Sequence, residues 1–260
     1  MKIKILLAST ALAAGVAFAG AAQAGEVNVM SWGGAYTKSQ VEAYHKPWMA
    51  KTGNKVNSID SPNPATPIKA QVEAGNVTID VADVEFSDAV RLCDEGLLER
   101  IDASKLPAAP DGTSAAKDFI DGALTDCAVA NIVWSTIYAY DSSKVKGSAP
   151  TTMADFFNTK KYPGKRGLRK TAKANLEMAL IADGVATGDV YKLLNTDGGV
   201  ARAFKKLDSI KNDVVWWEAG AQAPEWLISG DVVMSTAYNG RISKANKDGH
   251  GLKMIWQNNI

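Results

Sequence analysis

Five aromatic residues, Trp32, Tyr36, Trp134, Trp217 and Tyr238, stand where predicted strands run into loops, with Asp83, Glu85, Glu177 and Glu218 close by in sequence. Flat π faces beside carboxylates suit a cationic guest. An ammonium over a tryptophan gains about 0.5–2 kcal/mol, more where water is excluded, and a carboxylate completes its neutralisation. The same tryptophans would also serve in a core, and Glu177, within Asn175-Leu176-Glu177-Met178-Ala179-Leu180, would also suit a solvated helix face. The basic run Lys160, Lys161, Lys165, Arg166, Arg169, Lys170 and Lys173 reads as wet surface rather than as a ligand site.

The most concentrated of these features is Val27 to Tyr36, a short strand entering a loop with Gly33-Gly34 between Trp32 and Tyr36. In open α/β sheets ligands settle outside the carboxyl ends of strands, and paired glycines let the backbone pass close to a guest. Reactive motifs are missing by contrast. The chain has no Gly-x-Ser-x-Gly elbow, no His-Glu-x-x-His and no Cys-x-x-Cys, and Thr37-Lys38-Ser39 lacks the glycine that a phosphate loop places before its lysine. Its two histidines, His45 on an amphipathic helix and His250 in a glycine turn, read as structural or solvent-facing. A serine hydrolase or a histidine-rich metal site is disfavoured, and no cofactor or metal is expected.

The elements that must hold these residues alternate. Val27–Met30, Lys55–Ile59 and Asp80–Val84 read as strands; Tyr36–Lys51, with Val41, Tyr44 and Trp48 as its stripe and Pro47 as a kink, Ile68–Ala74, and the stretch through Ala89, Val90 and Cys93 read as helices. That order implies a largely parallel, buried sheet. Cys127–Tyr140 is β-rich and long enough to cross to a second lobe, where a further α/β series follows: helices at Thr151–Asn158 and Asn175–Ala182, a stripe of Val200, Phe204, Leu207 and Ile210, and strands at Val214–Trp216 and Asp231–Ala237. The expected layout is an α/β protein of two lobes, residues 25–135 and 136–250, with residues 251–260 beginning a return crossing.

Compartment follows from the first 24 residues. Lys2 and Lys4 precede an apolar run, Ile5–Phe18, too short to span a bilayer, and Ala22-Gln23-Ala24 is a small-x-small cleavage site, so residues 1–24 are predicted to be a signal peptide cut after Ala24. The exported chain is expected in a bacterial periplasm. Its net charge, +1 overall and one unit negative without Lys2 and Lys4, disfavours nucleic-acid binding. In that oxidising compartment Cys93 and Cys127 are expected to form a disulfide worth roughly 3–4 kcal/mol by loop closure.

Taken together, Ser31-Trp32-Gly33-Gly34-Ala35-Tyr36, Tyr162-Pro163-Gly164-Lys165-Arg166, Gly230-Asp231-Val232-Val233-Met234 and Ala237-Tyr238-Asn239-Gly240-Arg241 resemble the extracellular solute-binding proteins of spermidine/putrescine-type ABC importers. The resemblance implies a two-lobed periplasmic-binding-protein-like (type II) fold and a monomer. Ligand would be trapped between the lobes by hinge closure and delivered to an inner-membrane ABC permease with a cytoplasmic ATPase. By position it implies that Trp32 and Tyr36 line the cleft, Glu85 supplies a polar contact, and Trp134, Ser135 and Thr136 lie at the crossing. Glu177 would meet an amine, and Tyr238 would stack on the ligand beside Trp217.

Arg241 departs from that pattern. Polyamine binders of this kind tend to carry an acid near its position, whereas an arginine would repel a diamine and pair bidentately with a carboxylate. The expected ligand is therefore a small amine, either a polyamine such as putrescine or spermidine or an ω-amino acid such as γ-aminobutyrate. The competing classes are a secreted enzyme acting on a small cationic substrate and an anion or metal scavenger on the same fold. Members of the family continue past this length, so Ile260 is expected to be a truncation that lowers stability.

Overall fold

The computed structural model describes residues 25–257; the expected signal peptide, residues 1–24, lies outside the described residues. The first lobe holds β1 (Glu26–Ser31), α1 (Gly34–Gln40), a π-helical turn (Val41–His45), α2 (Lys46–Thr52), β2 (Lys55–Asp60), α3 (Thr66–Glu73), β3 (Val81–Ala82), α4 (Phe86–Asp94) and α5 (Ala115–Asp118). The second holds β4 (Thr136–Asp141), α6 (Met153–Phe157), β5 (Arg166–Arg169), α7 (Asn175–Ala182), α8 (Val190–Leu194), α9 (Asp197–Asp208), β6 (Val214–Trp217), α10 (Gln222–Ser229), β7 (Met234–Tyr238), α11 (Asn239–Lys247) and β8 (Leu252–Ile255).

Two sheets result. The first is parallel, in the order β2-β1-β3. The second is mixed, in the order β6-β5-β7-β4-β8, with β5 parallel to both β6 and β7 and with β4 antiparallel to β7 and β8. Both place strand carboxyl ends where loops can meet a ligand. β4 explains why the second lobe is the better packed: Tyr138 and Tyr140 enter one core with Phe156, Met178 and Leu180, while Ile137 and Ala139 enter the other with Leu227 and Ile242. Alternating side chains that are apolar on both faces are what a central strand covered by helices requires. Cys127–Ser135, read from sequence as part of that strand, carries only an isolated bridge, Leu124 to Val129, and β4 itself begins at Thr136. β8, where the sequence suggests a return crossing, adds an edge strand to the second sheet through Tyr138–Ile255 and Asp141–Leu252 pairing.

The long first helix departs from the periodicity reading. The Lys46 N–H reaches back to the Val41 carbonyl in a π turn immediately before Pro47, and the helical run continues through the proline to Thr52. That extra residue rotates the following face. Tyr44 and Trp48, expected inward, are exposed, and His45 turns in instead, with Nδ1 2.9 Å from Ser58 Oγ. Burial holds the His45 imidazole below its ordinary pKa. The Cys93–Cys127 disulfide is present and ties α4 to the extended segment that leaves the first lobe. It closes a loop with a sequence separation of 34, for which loop-closure entropy gives about 3–4 kcal/mol.

Candidate ligand-binding site

β1 ends at Ser31, and the next residues make the turn that the sequence suggested. Gly33 and Gly34 have φ of 72° and 60°, left-handed values that a side chain resists, and the Gly33 N–H donates to Thr37 Oγ1 at 2.9 Å. The turn leaves the Trp32 and Gly33 carbonyls pointing outward. Arg241, in the first turn of α11, donates from Nη2 to both, at 3.0 and 3.2 Å. Gly220 makes room for this arginine, because a Cβ there would stand 2.6 Å from Arg241 Nε and 3.1 Å from the Tyr238 ring.

Tyr238 closes β7 at the centre of the aromatic group. Trp134 meets it edge-on at 4.9 Å between centroids and Trp217 does so at 5.6 Å. Burial pushes the Tyr238 hydroxyl up to about 12. Trp134 is 40% exposed, whereas Trp217 is 1% exposed and belongs to the core beneath Tyr238. Trp217, expected among the ligand-binding aromatics, thus lies beneath the Tyr238 ring as a core residue that props it. Its indole N–H has no partner among the described residues.

Arg169 completes the cluster. It is the last residue of β5, in register with Trp217 of β6 and hence on the same sheet face, at the carboxyl end of parallel strands. Its guanidinium lies 5.3 Å from the Trp32 ring centroid and 5.8 Å from that of Tyr238. Nη1 donates to Glu85 Oε1 at 2.5 Å, across the two lobes, with only 15% and 11% of the two side chains exposed. Lys173 Nζ holds Glu85 Oε2 at 2.8 Å and Asp88 Oδ2 at 2.7 Å. Burial raises the carboxyl of Asp88, and the Lys173 and Arg91 partners outweigh that effect, leaving its pKa below the ordinary value.

Tyr36 is oriented rather than free: its hydroxyl donates to Asp83 Oδ2 at 2.7 Å, and Gln40 Nε2 donates to the same oxygen at 2.6 Å. Burial and the Asp83 carboxylate push its pKa well above the usual tyrosine range. Ser135 reaches the site through its backbone, exchanging hydrogen bonds with Asn239 at 3.0 and 3.1 Å, and Thr136 is buried in the β4–β7 ladder opposite Tyr238. The structure therefore brings together Trp32, Tyr36, Glu85, Trp134, Tyr238 and Arg241, with Trp217, Ser135 and Thr136 supporting them.

Glu177 turns toward α8. Its side chain bonds to Tyr191 of α8, and Oε2 is buried with no partner among the described residues. Desolvation raises its pKa, so the folded state favours the protonated form. That contribution to stability is complete below the unfolded carboxyl value and is lost as pH rises through the raised folded one. Glu177→Gln is accordingly expected to raise the thermal midpoint at pH 7.5, with the gain shrinking as pH approaches 4.5; a midpoint difference independent of pH would contradict this.

Arg169 is the residue that sequence reading missed, placed there in a basic surface run. The available signal was its position at the carboxyl end of a parallel strand, where an arginine faces a cleft rather than open solvent.

The profile of the family described as bacterial extracellular solute-binding protein matches residues 43–259. The chain is 48% identical over 248 residues to the gamma-aminobutyric acid-binding protein of Pseudomonas aeruginosa, covering 95% of this chain and 68% of that relative. Among solved structures it is similar to the periplasmic binding protein MotA of A. tumefaciens B6 in complex with glucopine, at a TM-score of 0.80 and 32% identity over 88% of this chain and 68% of that one. It is also similar to the Atu4243-GABA receptor, at a TM-score of 0.72 and 34% identity over 90% of this chain and 69% of that one.

Proposed function

The chain belongs to the family of bacterial extracellular solute-binding proteins, and from that premise we propose that it captures γ-aminobutyrate, or a closely similar amino acid, for an ABC importer. The observation that carries the reading is Arg169: a nearly buried guanidinium between two aromatic faces, opposite a carboxylate from the other lobe. Such a fork suits a ligand carboxylate. The role expected for Arg241 is assigned instead to Arg169, which stands between the aromatic rings, while Arg241 Nη2 bonds to the Trp32 and Gly33 carbonyls and bridges the lobes.

Charge argues against a diamine. Glu85 and Asp88 are already paired with Arg169 and Lys173, which leaves Arg241 as a positive charge beside the cluster, and a like charge at about 5 Å costs roughly 3 kcal/mol at an intermediate dielectric. A zwitterion adds no net charge, can set its ammonium against an aromatic face or Glu85, and bridges the lobes. Closure then follows from its higher affinity for the closed arrangement. With the lobes taken to divide near residue 135, the Glu85–Arg169 pair supports a site between the two halves. A monomer exported to the periplasm behind residues 1–24, with a permease partner and no catalysis, completes the reading; the relatives named above support its ligand class.

The test is thermal melting with γ-aminobutyrate, putrescine and spermidine, where a ligand at about 100 times its Kd stabilises by about 2.7 kcal/mol. A shift with γ-aminobutyrate and none with the polyamines is expected. The opposite pattern would replace the amino-acid reading with the polyamine one.

A further inference from the structure

Glu85 stands at the entry to α4 and is the residue of the first lobe that grips the second most tightly: Oε1 takes Arg169 at 2.5 Å and Oε2 takes Lys173 at 2.8 Å. A carboxylate so held on Arg169 has the chemistry of the group that the proposed ligand would bring to the same guanidinium. We infer that Glu85 is an internal competitor for the anion seat at Arg169, so that a ligand carboxylate binds by exchange with the protein's own. The inference rests on the reading of Arg169 as that seat.

Two features make the exchange feasible. Lys173 holds the second oxygen of Glu85 and is itself held by Asp88 at 2.7 Å, so Glu85 keeps a cation when it releases Arg169. The start of α4 follows directly, and its unpaired N–H groups favour negative charge there. The four side chains Glu85, Asp88, Arg169 and Lys173 sum to zero charge. A zwitterion leaves that sum unchanged, whereas a carboxylate without an ammonium adds a negative charge beside Glu85 and Asp88. Glu85 would thus select for ligands that carry both groups, rejecting simple carboxylates by repulsion as well as by occupancy.

Calorimetric titration of butyrate and γ-aminobutyrate tests this on the wild type, Glu85→Gln and Lys173→Met. The glutamine is isosteric and can still accept from Arg169, but without charge. Butyrate is expected to bind Glu85→Gln about tenfold or more tighter than wild type, narrowing the preference for γ-aminobutyrate. Lys173→Met loosens the same interlobe bridge while removing a positive charge, and is expected to weaken butyrate. Unchanged or weaker butyrate binding in Glu85→Gln would overturn the competitor, and so would equal tightening by both variants, which would mark general loosening of the lobes. The seat is checked separately by adding Arg169→Gln to Glu85→Gln. Loss of the gained butyrate affinity supports both readings, while its persistence would place the anion seat elsewhere and overturn the proposed function itself.

Discussion

Arg169→Gln is expected to weaken γ-aminobutyrate binding by at least about a hundredfold while the protein stays folded. Removing one partner of a desolvated charged hydrogen bond typically costs about 2–5 kcal/mol, and each 1.4 kcal/mol is tenfold in Kd. Arg169 meets the conditions for the upper part of that range: 15% exposure, two aromatic neighbours, and no nearer cation free to substitute, since Lys173 is held by Glu85 and Asp88. Arg169→Lys retains the charge but not the planar fork, and should recover only part of the loss. The fold should survive either change, because Glu85 keeps Lys173 and Arg169 is the terminal residue of β5 rather than a member of either core. Calorimetry on proteins with matching thermal midpoints is the measurement. An affinity for γ-aminobutyrate within threefold of wild type would remove Arg169 from the site.

Arg166→Met is expected to act in the opposite manner, destabilising the second lobe by about 3–5 kcal/mol with no change in ligand affinity for the protein that remains folded. Arg166 is 0% exposed and spends its guanidinium on main chain: Nε to the Phe156 carbonyl at 2.7 Å, Nη1 to Gly164 at 2.7 Å and Nη2 to Tyr162 at 2.6 Å. Burial pushes its pKa down to about 10, which leaves it charged at neutral pH. A buried ion pair can often be exchanged for apolar side chains at little cost, but here the acceptors are carbonyls that no substitution removes. Methionine fills the volume and orphans all three, at about 1–3 kcal/mol each before the apolar gain is counted. For a protein of this size the loss corresponds to a fall of about 10 °C in midpoint. Denaturant unfolding followed through the tryptophans would measure it, and a midpoint within 2 °C of wild type would show that water serves these carbonyls as well as the guanidinium does.

The two arginines lie three positions apart on one four-residue strand, β5, and separate the kinds of information that a sequence carries. Alternation places Arg166 with Leu168 on one face of the sheet and Arg169 on the other, at the strand end, yet both belong to the same basic run in the linear text. Local rules worked where the cause is local. The glycine pair after β1 is required by its own left-handed backbone, β4 is apolar from Ile137 to Tyr140 because helices cover both its faces, and the two cysteines had only each other to pair with in an oxidising compartment. Membership of the solute-binding family was legible for a related reason, since it rests on short segments whose residues act together, but the spermidine/putrescine type was not, and the relative at 48% identity is a gamma-aminobutyric acid-binding protein.

What only the tertiary structure decided is which charges meet. Glu85 and Arg169 are 84 residues apart, and Arg241 is 208 residues from Gly33, separations at which no periodicity constrains a partner. Arg241 reads from its motif as the ligand's counter-ion, and only the structure shows that Gly220 admits its guanidinium to two backbone carbonyls. Glu177 looked like an amine's partner until α8 supplied Tyr191. A single π turn before Pro47 likewise overrode a clear helical stripe. Sequence by itself determined most of the elements of the first lobe, the disulfide and the class of molecule, because those follow from local conformational preference and from hydrophobic pattern; β5, α10 and α11 were read only from the structure. Packing decided the site, because electrostatic interactions are set by distance and burial, and both are created only when the two lobes come together.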